Sequence, residues 1–170
     1  NLPAAGPESV RMFLSVHEME LKEVRFEETF LPGSIQFFDR KLRQAGPLRV
    51  RGTAELVSHS GGEVRVHGHL DVAMEAECDL CLEPAGFPVA QDFDLVYEPA
   101  EAGPEGEEVA LAREDSDVDF YRGDGLELAD VLREQVLLAL PMQRLCREDC
   151  QGICPVCGEN RNRVQCGCQV

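Results

Sequence analysis

The sequence predicts an α+β fold: an antiparallel, partly curled β-sheet with one main C-terminal helix and a cysteine-rich tail. Three observations carry this reading. Apolar and polar residues alternate through 48–56, 64–78 and 87–97, the period of half-buried strands. Through 128–139 apolar residues instead recur every three or four positions, the period of a helix packed on one face. Six of the eight cysteines then fall between Cys146 and Cys168.

Taken in order, residues 10–30 alternate irregularly (Met12, Leu14, Val16, then Val24, Phe26, Phe30) and read as one or two strands. A turn at Pro32-Gly33 leads into a short helix over Ile35–Leu42, closed by Gly46-Pro47. Leu48, Val50, Gly52, Ala54 and Leu56 share one face of a strand, and Ser60-Gly61-Gly62 turns the chain back. The return strand places Val64, Val66, Gly68, Leu70, Val72, Met74, Ala76 and Cys78 on its apolar face. At ~3.3 Å per residue it would span roughly 50 Å, too long to stay flat in a chain of this size, and a bend is expected at Gly68. Cys78-Asp-Leu-Cys81 then forms the tip of a hairpin whose second strand carries Phe87, Val89, Phe93, Leu95 and Tyr97. Leu128, Val131, Leu132, Gln135, Val136 and Ala139 form the helix stripe, and Pro141 ends it. We expect a domain over 1–145 and a tail over 146–170 docked on the 78–81 knuckle.

Charge narrows the function. Nine acids and only Arg113 lie in 98–119, so this acidic loop supplies −8 of the net −16. Like charges with few apolar residues cannot repay the entropy of ordering, so a mobile loop is expected there. Arg40, Lys41, Arg43, Arg49 and Arg51 crowd into twelve residues with no acid among them, and Arg144, Arg147, Arg161 and Arg163 flank the tail. A pI of about 4.5 is the reverse of the usual nucleic-acid footprint and favours reading both groups as solvated faces. No run of eighteen apolar residues exists, and Asn1–Gly6 lacks the basic and apolar regions of a secretory leader, so a cytoplasmic protein without membrane contact is expected.

In a reducing compartment, eight cysteines point to metal rather than to four disulfides. Cys154-Pro-Val-Cys157-Gly158 is a knuckle in which two sulfurs reach one ion, Pro155 stiffens the turn and Gly158 allows the backbone to return closely. Two zinc ions held by Cys78, Cys81, Cys146, Cys150, Cys154, Cys157, Cys166 and Cys168 account for every thiol. Loop-closure entropy mildly favours a compact site of Cys154, Cys157, Cys166 and Cys168, leaving Cys78, Cys81, Cys146 and Cys150 for the other. The alternative is a zinc-ribbon arrangement in which the two Cys-x2-Cys pairs share an ion. Four-thiolate sites are closed, so no catalytic water and no enzyme activity are expected. His17, His59, His67 and His69 show no complete ligand set, and no phosphate-binding or hydrolase motif occurs. A general zinc-ribbon interaction module and a thiol redox enzyme are the competing classes.

The tail Leu145-Cys-Arg-Glu-Asp-Cys-Gln-Gly-Ile-Cys-Pro-Val-Cys-Gly-Glu-Asn follows a helix ending Leu138-Ala-Leu-Pro141 and an upstream Glu77-Cys-Asp-Leu-Cys-Leu-Glu-Pro84. Over roughly 48–168 this order resembles the YceD family, the large ribosomal RNA subunit accumulation proteins of bacteria and chloroplasts. The resemblance implies a non-enzymatic role in accumulation of large-subunit ribosomal RNA and in large-subunit biogenesis. It implies ribosomal proteins, a pre-ribosomal particle or ribosomal RNA as partners, and no small-molecule substrate. Family members that retain only the upstream pair and ligands near Cys146 and Cys150 imply that these four form one site. A strongly acidic chain is attracted to a basic ribosomal protein and repelled by phosphate, which favours a protein partner.

Overall fold

In the computed structural model, which describes residues 12–100 and 119–168, the chain runs β1 (Phe13–Ser15), α1 (Val16–Leu21), β2 (Val24–Phe30), β3 (Leu42–Gln44), β4 (Leu48–Leu56), β5 (Val64–Glu77), β6 (Pro84–Pro99), β7 (Asp119–Tyr121), β8 (Gly125–Glu127) and α2 (Leu128–Ala139). The result is mostly sheet with one main helix. The larger sheet has the order β2-β4-β5-β6-β7, with β3 also paired to β5, while β1 and β8 form a two-stranded ribbon.

β5 and β6 organise the larger sheet. They pair antiparallel along the whole of β5, from Val64↔Tyr97 to Glu77↔Pro84. On its other edge β5 is shared, with β4 opposite 64–71 and β3 opposite 74–76. Alternation explains the layering, because Val64, Val66, Leu70, Val72, Met74 and Ala76 are buried. Gly68 faces Gly52, and the same row continues to Phe26 on one side and Phe93 on the other. A Cβ on Gly52 would lie 2.8 Å from Phe26 Cζ, so the missing side chain makes room for the ring.

α2 supplies the cover expected from its periodicity. Leu128, Val131, Leu132, Gln135 and Val136 are buried, and Gln91 Nε2 donates to the Gln135 carbonyl at 3.1 Å, tying helix to β6. Each buried aliphatic side chain here contributes about 2 kcal/mol of transfer free energy.

Three expectations are corrected. Ile35–Leu42 is not a helix: Ile35 and Phe37 are both buried two positions apart, as in extended chain, and Phe38 adopts a left-handed φ of 54° that interrupts any helix. The stretch 10–30 is not strand alone, since α1 forms a single helical segment whose one buried residue, Met19, gives too little periodicity to be seen in sequence. Nor is the sheet wholly antiparallel, because β7 pairs parallel to β6 from Tyr97↔Asp119 to Pro99↔Tyr121. Of the predicted acidic loop, 98–100 belongs to β6 and 119 to β7; 101–118 lies outside the described residues. No helix among the described residues is long and apolar enough to cross a membrane.

Candidate metal centres

The tip between β5 and β6 and the loop after Ile153 are built alike. Leu82 N donates to the Cys78 carbonyl and Gly158 N to the Cys154 carbonyl, each at 2.9 Å. Cys78 N donates to the Glu83 carbonyl at 2.8 Å, and Cys154 N to the Glu159 carbonyl at 2.9 Å. The residue after the second cysteine is left-handed in both, Leu82 at φ 61° and Gly158 at φ 78°. Glycine adopts that backbone without a Cβ clash, whereas leucine does so under strain.

The structure brings the eight thiols into two groups, Cys78, Cys81, Cys146 and Cys150 in one, and Cys154, Cys157, Cys166 and Cys168 in the other, with the sulfurs of each group within 4.8 Å of one another. Cys78 Sγ lies 3.7 Å from Cys150 Sγ, and Cys81 Sγ 3.6 Å from Cys146 Sγ. Thiolates ~2.3 Å from a tetrahedral ion stand roughly 3.8 Å apart, whereas a cystine bond is ~2.05 Å. The first group thus has the spacing of ligands around an ion, and either group can hold one.

Electrostatics favour one thiolate in each group and oppose further ones. Burial pushes the Cys78 thiol up, but the backbone N–H groups of Cys81, Cys146 and Leu80 bring it down to about 6. The N–H groups of Cys157 and Val156 likewise hold Cys154 at about 6. Burial and the neighbouring Cys81 sulfur raise Cys146 to about 12, and the Cys157 sulfur raises Cys168 to about 12. Crowded sulfurs cannot all ionise without a cation among them, and a bound metal ion supplies one.

Their surroundings differ. In the first group Cys78, Cys81 and Cys150 are buried, with Leu145 packed against them. The hairpin and the tail are laced together there: Asp79 N donates to the Arg144 carbonyl (2.8 Å), Arg144 N to Asp79 Oδ2 (2.7 Å), and Ile153 N to the Leu80 carbonyl (3.0 Å). Arg144 also pairs with Asp39 at 2.7 Å, and that hydrogen bond, joined by the Lys41 N–H, holds the Asp39 carboxyl below its ordinary value. Gly152 fits under the knuckle, where a Cβ would lie 3.0 Å from the Leu80 carbonyl oxygen. In the second group only Cys154 is buried, and all four residues come from a single stretch of tail.

Asn162 joins the two and was invisible in the sequence. Its Nδ2 donates to Cys150 Sγ at 3.3 Å, while its Oδ1 accepts from Gln151 N at 2.8 Å and from Arg147 at 2.9 Å. It lies between Cys157 and Cys166, so a residue of the second loop orients a sulfur of the first group. No motif marks an asparagine for that task.

Five of the nine cations in the two basic groups, Arg144 among them, are paired with acids. Lys41 pairs with Glu77, Arg43 with Glu75, Arg147 with Asp149 and Arg163 with Glu83. Among the described residues Arg40, Arg49, Arg51 and Arg161 have no ion pair. His67 and His69 are half-buried, bonded to Thr53 Oγ1 (2.6 Å) and Asp92 Oδ1 (2.7 Å), and neither joins a metal-ligating group.

Fold and thiol groups together define a β-sheet protein with two four-cysteine clusters, one shared between the hairpin tip and the tail and one within the tail. Sequence comparison makes this specific: the profile of the large ribosomal RNA subunit accumulation protein YceD matches residues 66–170, and the chain belongs to the YceD family. It is 23% identical over 134 residues to the uncharacterized protein YlbN of Bacillus subtilis (strain 168), covering 79% of this chain and 72% of that one. It is 25% identical over 136 residues to the chloroplastic large ribosomal RNA subunit accumulation protein YCED homolog 1 of Zea mays, covering 66% of this chain and 46%, under half, of the maize protein. No solved structure matches the chain.

Proposed function

We propose that this chain is a non-enzymatic cytoplasmic factor for accumulation of large-subunit ribosomal RNA, clamped by two structural zinc ions and acting in large-subunit assembly through protein contacts. The family match over 66–170 carries the biological role, supported by the name of the maize relative. All-thiolate ligand sets suit zinc, and sites of that kind leave no position open for a reacting water. Cys78, Cys81, Cys146 and Cys150 hold one ion, fastening the tail to the hairpin; Cys154, Cys157, Cys166 and Cys168 hold the other and shape the tail itself. A protein partner fits a chain of net charge −16 whose cations are mostly paired within the fold.

Deleting the gene in its native host tests the role. The ratio of large- to small-subunit ribosomal RNA should fall and recover with the intact gene, and tagged protein should co-sediment with large-subunit precursors. An unchanged ratio together with no associated particles would overturn it. Metal analysis of purified protein should give two zinc ions per chain.

A further inference from the structure

The outward side of α2 carries exposed leucines beside the charges that an amphipathic helix normally shows to water. Leu138 is 74% exposed, and Leu137 is partly exposed beside it. Together with Phe13 and Phe120, 44% and 38% exposed, they wall a groove of about 710 Å³ between α2, the β1–β8 ribbon and β7. Tyr97 forms part of the same wall, is only 4% exposed, and its hydroxyl has no hydrogen-bond partner among the described residues. A buried hydroxyl left unpaired costs free energy, and a polar group arriving in the groove recovers it.

The charge around this groove leans acidic, with Glu127, Asp130 and Glu134 against Arg122 and Arg133 on the lining. Asp130 is paired with Arg133, whose charge also reaches Glu134, but among the described residues Glu127 and Glu134 on the lining, and Asp119 near it, form no ion-pair contact, and the other lining cation is Arg122. Burial, with Asp119 adding repulsion, raises the Glu134 carboxyl. Burial also pushes the Tyr97 phenol up, helped by the charges of Glu134 and Asp119. Carboxylates that repel one another beside an apolar wall are relieved by an incoming cation.

We propose that this groove is a docking site for an extended peptide segment of a protein partner that alternates apolar side chains with lysine or arginine, the apolar ones seated between Phe13, Phe120 and Leu138 and a cation placed between Glu134 and Asp119. The occupant is protein rather than nucleic acid because phosphate would meet those carboxylates, whereas a basic segment is drawn to them. The proposal rests on the protein-partner reading above and adds where the partner binds and with what chemistry. The wide depression on the polar sheet face is a poorer candidate, since its Arg25, His69 and Asp94 are already engaged by Glu23, Asp92 and Arg65.

The test is fluorescence anisotropy with the full chain and a short labelled peptide alternating Lys with Leu, beside the same peptide with Glu for Lys. The basic peptide should bind and the acidic one should not. Leu138→Asp and Glu134→Lys should each weaken binding at least about tenfold, while Glu134→Gln has a smaller effect. Both positions are solvent-exposed on α2, so the variants should keep the far-UV spectrum and metal content, which are checked alongside. No binding of the basic peptide, binding by both variants as tight as by the unsubstituted chain, or binding of a single-stranded RNA that the same substitutions weaken would overturn the proposal, as would self-association of the chain abolished by Leu138→Asp. Particle association unchanged in both variants, without peptide binding, defeats the groove and leaves the ribosomal role standing. Peptide binding without any particle association does the reverse.

Discussion

The two thiol clusters share a backbone recipe and differ in what they hold together. The first takes two sulfurs from the end of a β-hairpin and two from a segment 65 to 72 residues later, as its Cys81–Cys146 and Cys78–Cys150 contacts show. It closes a long loop and is largely buried. The second gathers four sulfurs from one short, mostly exposed loop. With a metal ion bound, as proposed, the same local motif would be a cross-link between distant parts of the chain in one place and a local staple in the other.

If that contrast is right, the largest effect should come from breaking the cross-link. Cys81→Ser should lower folding stability in urea by about 3 kcal/mol or more, because metal-binding free energy is folding free energy where the ligands bridge separate segments. Cys166→Ser should cost under about 1 kcal/mol in the same melt while still losing one zinc by mass spectrometry. Equal losses would erase the distinction between the two clusters. Next in size is the rate of metal removal. Under excess chelator, zinc should leave in two phases at least about tenfold apart, since exposed loops open at lower cost than packed ones. The fast phase should vanish in Cys166→Ser, and a single phase in wild-type protein would count against us.

Asn162→Leu sharpens the comparison by testing whether the clusters are coupled. Losing the N–H···S bond to Cys150 should weaken metal at the first site by roughly 10-fold, in the range seen for groups that orient metal ligands, although the substitution lies in the loop of the second. Competition with a chromophoric chelator would read it, and weakening confined to Cys154, Cys157, Cys166 and Cys168 would contradict it. The smallest pair is conformational. Gly158→Ala should destabilise and Leu82→Gly should be neutral or stabilising, each by about 1 kcal/mol, because the same left-handed turn is free for glycine and strained for leucine. Thermal melts of the zinc-loaded variants measure both, and a stabilised Gly158→Ala would show the two knuckles are not equivalent.

Much of this was legible in the residue order. Period-two alternation marked β4, β5 and β6, the three-and-four spacing marked α2, and Cys-x2-Cys marked both knuckles. Short elements escaped. β7 and β8 have three residues each and α1 only six, too few for a period to emerge, and Phe38 concealed a left-handed turn inside what resembled a helix.

By itself, then, the sequence determined the long strands β4, β5 and β6, the main helix and the spacing of the cysteines within each knuckle, because periodicity and local spacing need only a few neighbouring residues to express them. Only the tertiary structure decided which distant thiols meet, that Asn162 reaches from one cluster to the other, that Lys41 and Arg43 are paired with Glu77 and Glu75, and that Leu138 and Tyr97 border one groove. Those are relations between residues far apart along the chain. Burial and cross-strand register create them, and no local pattern encodes either.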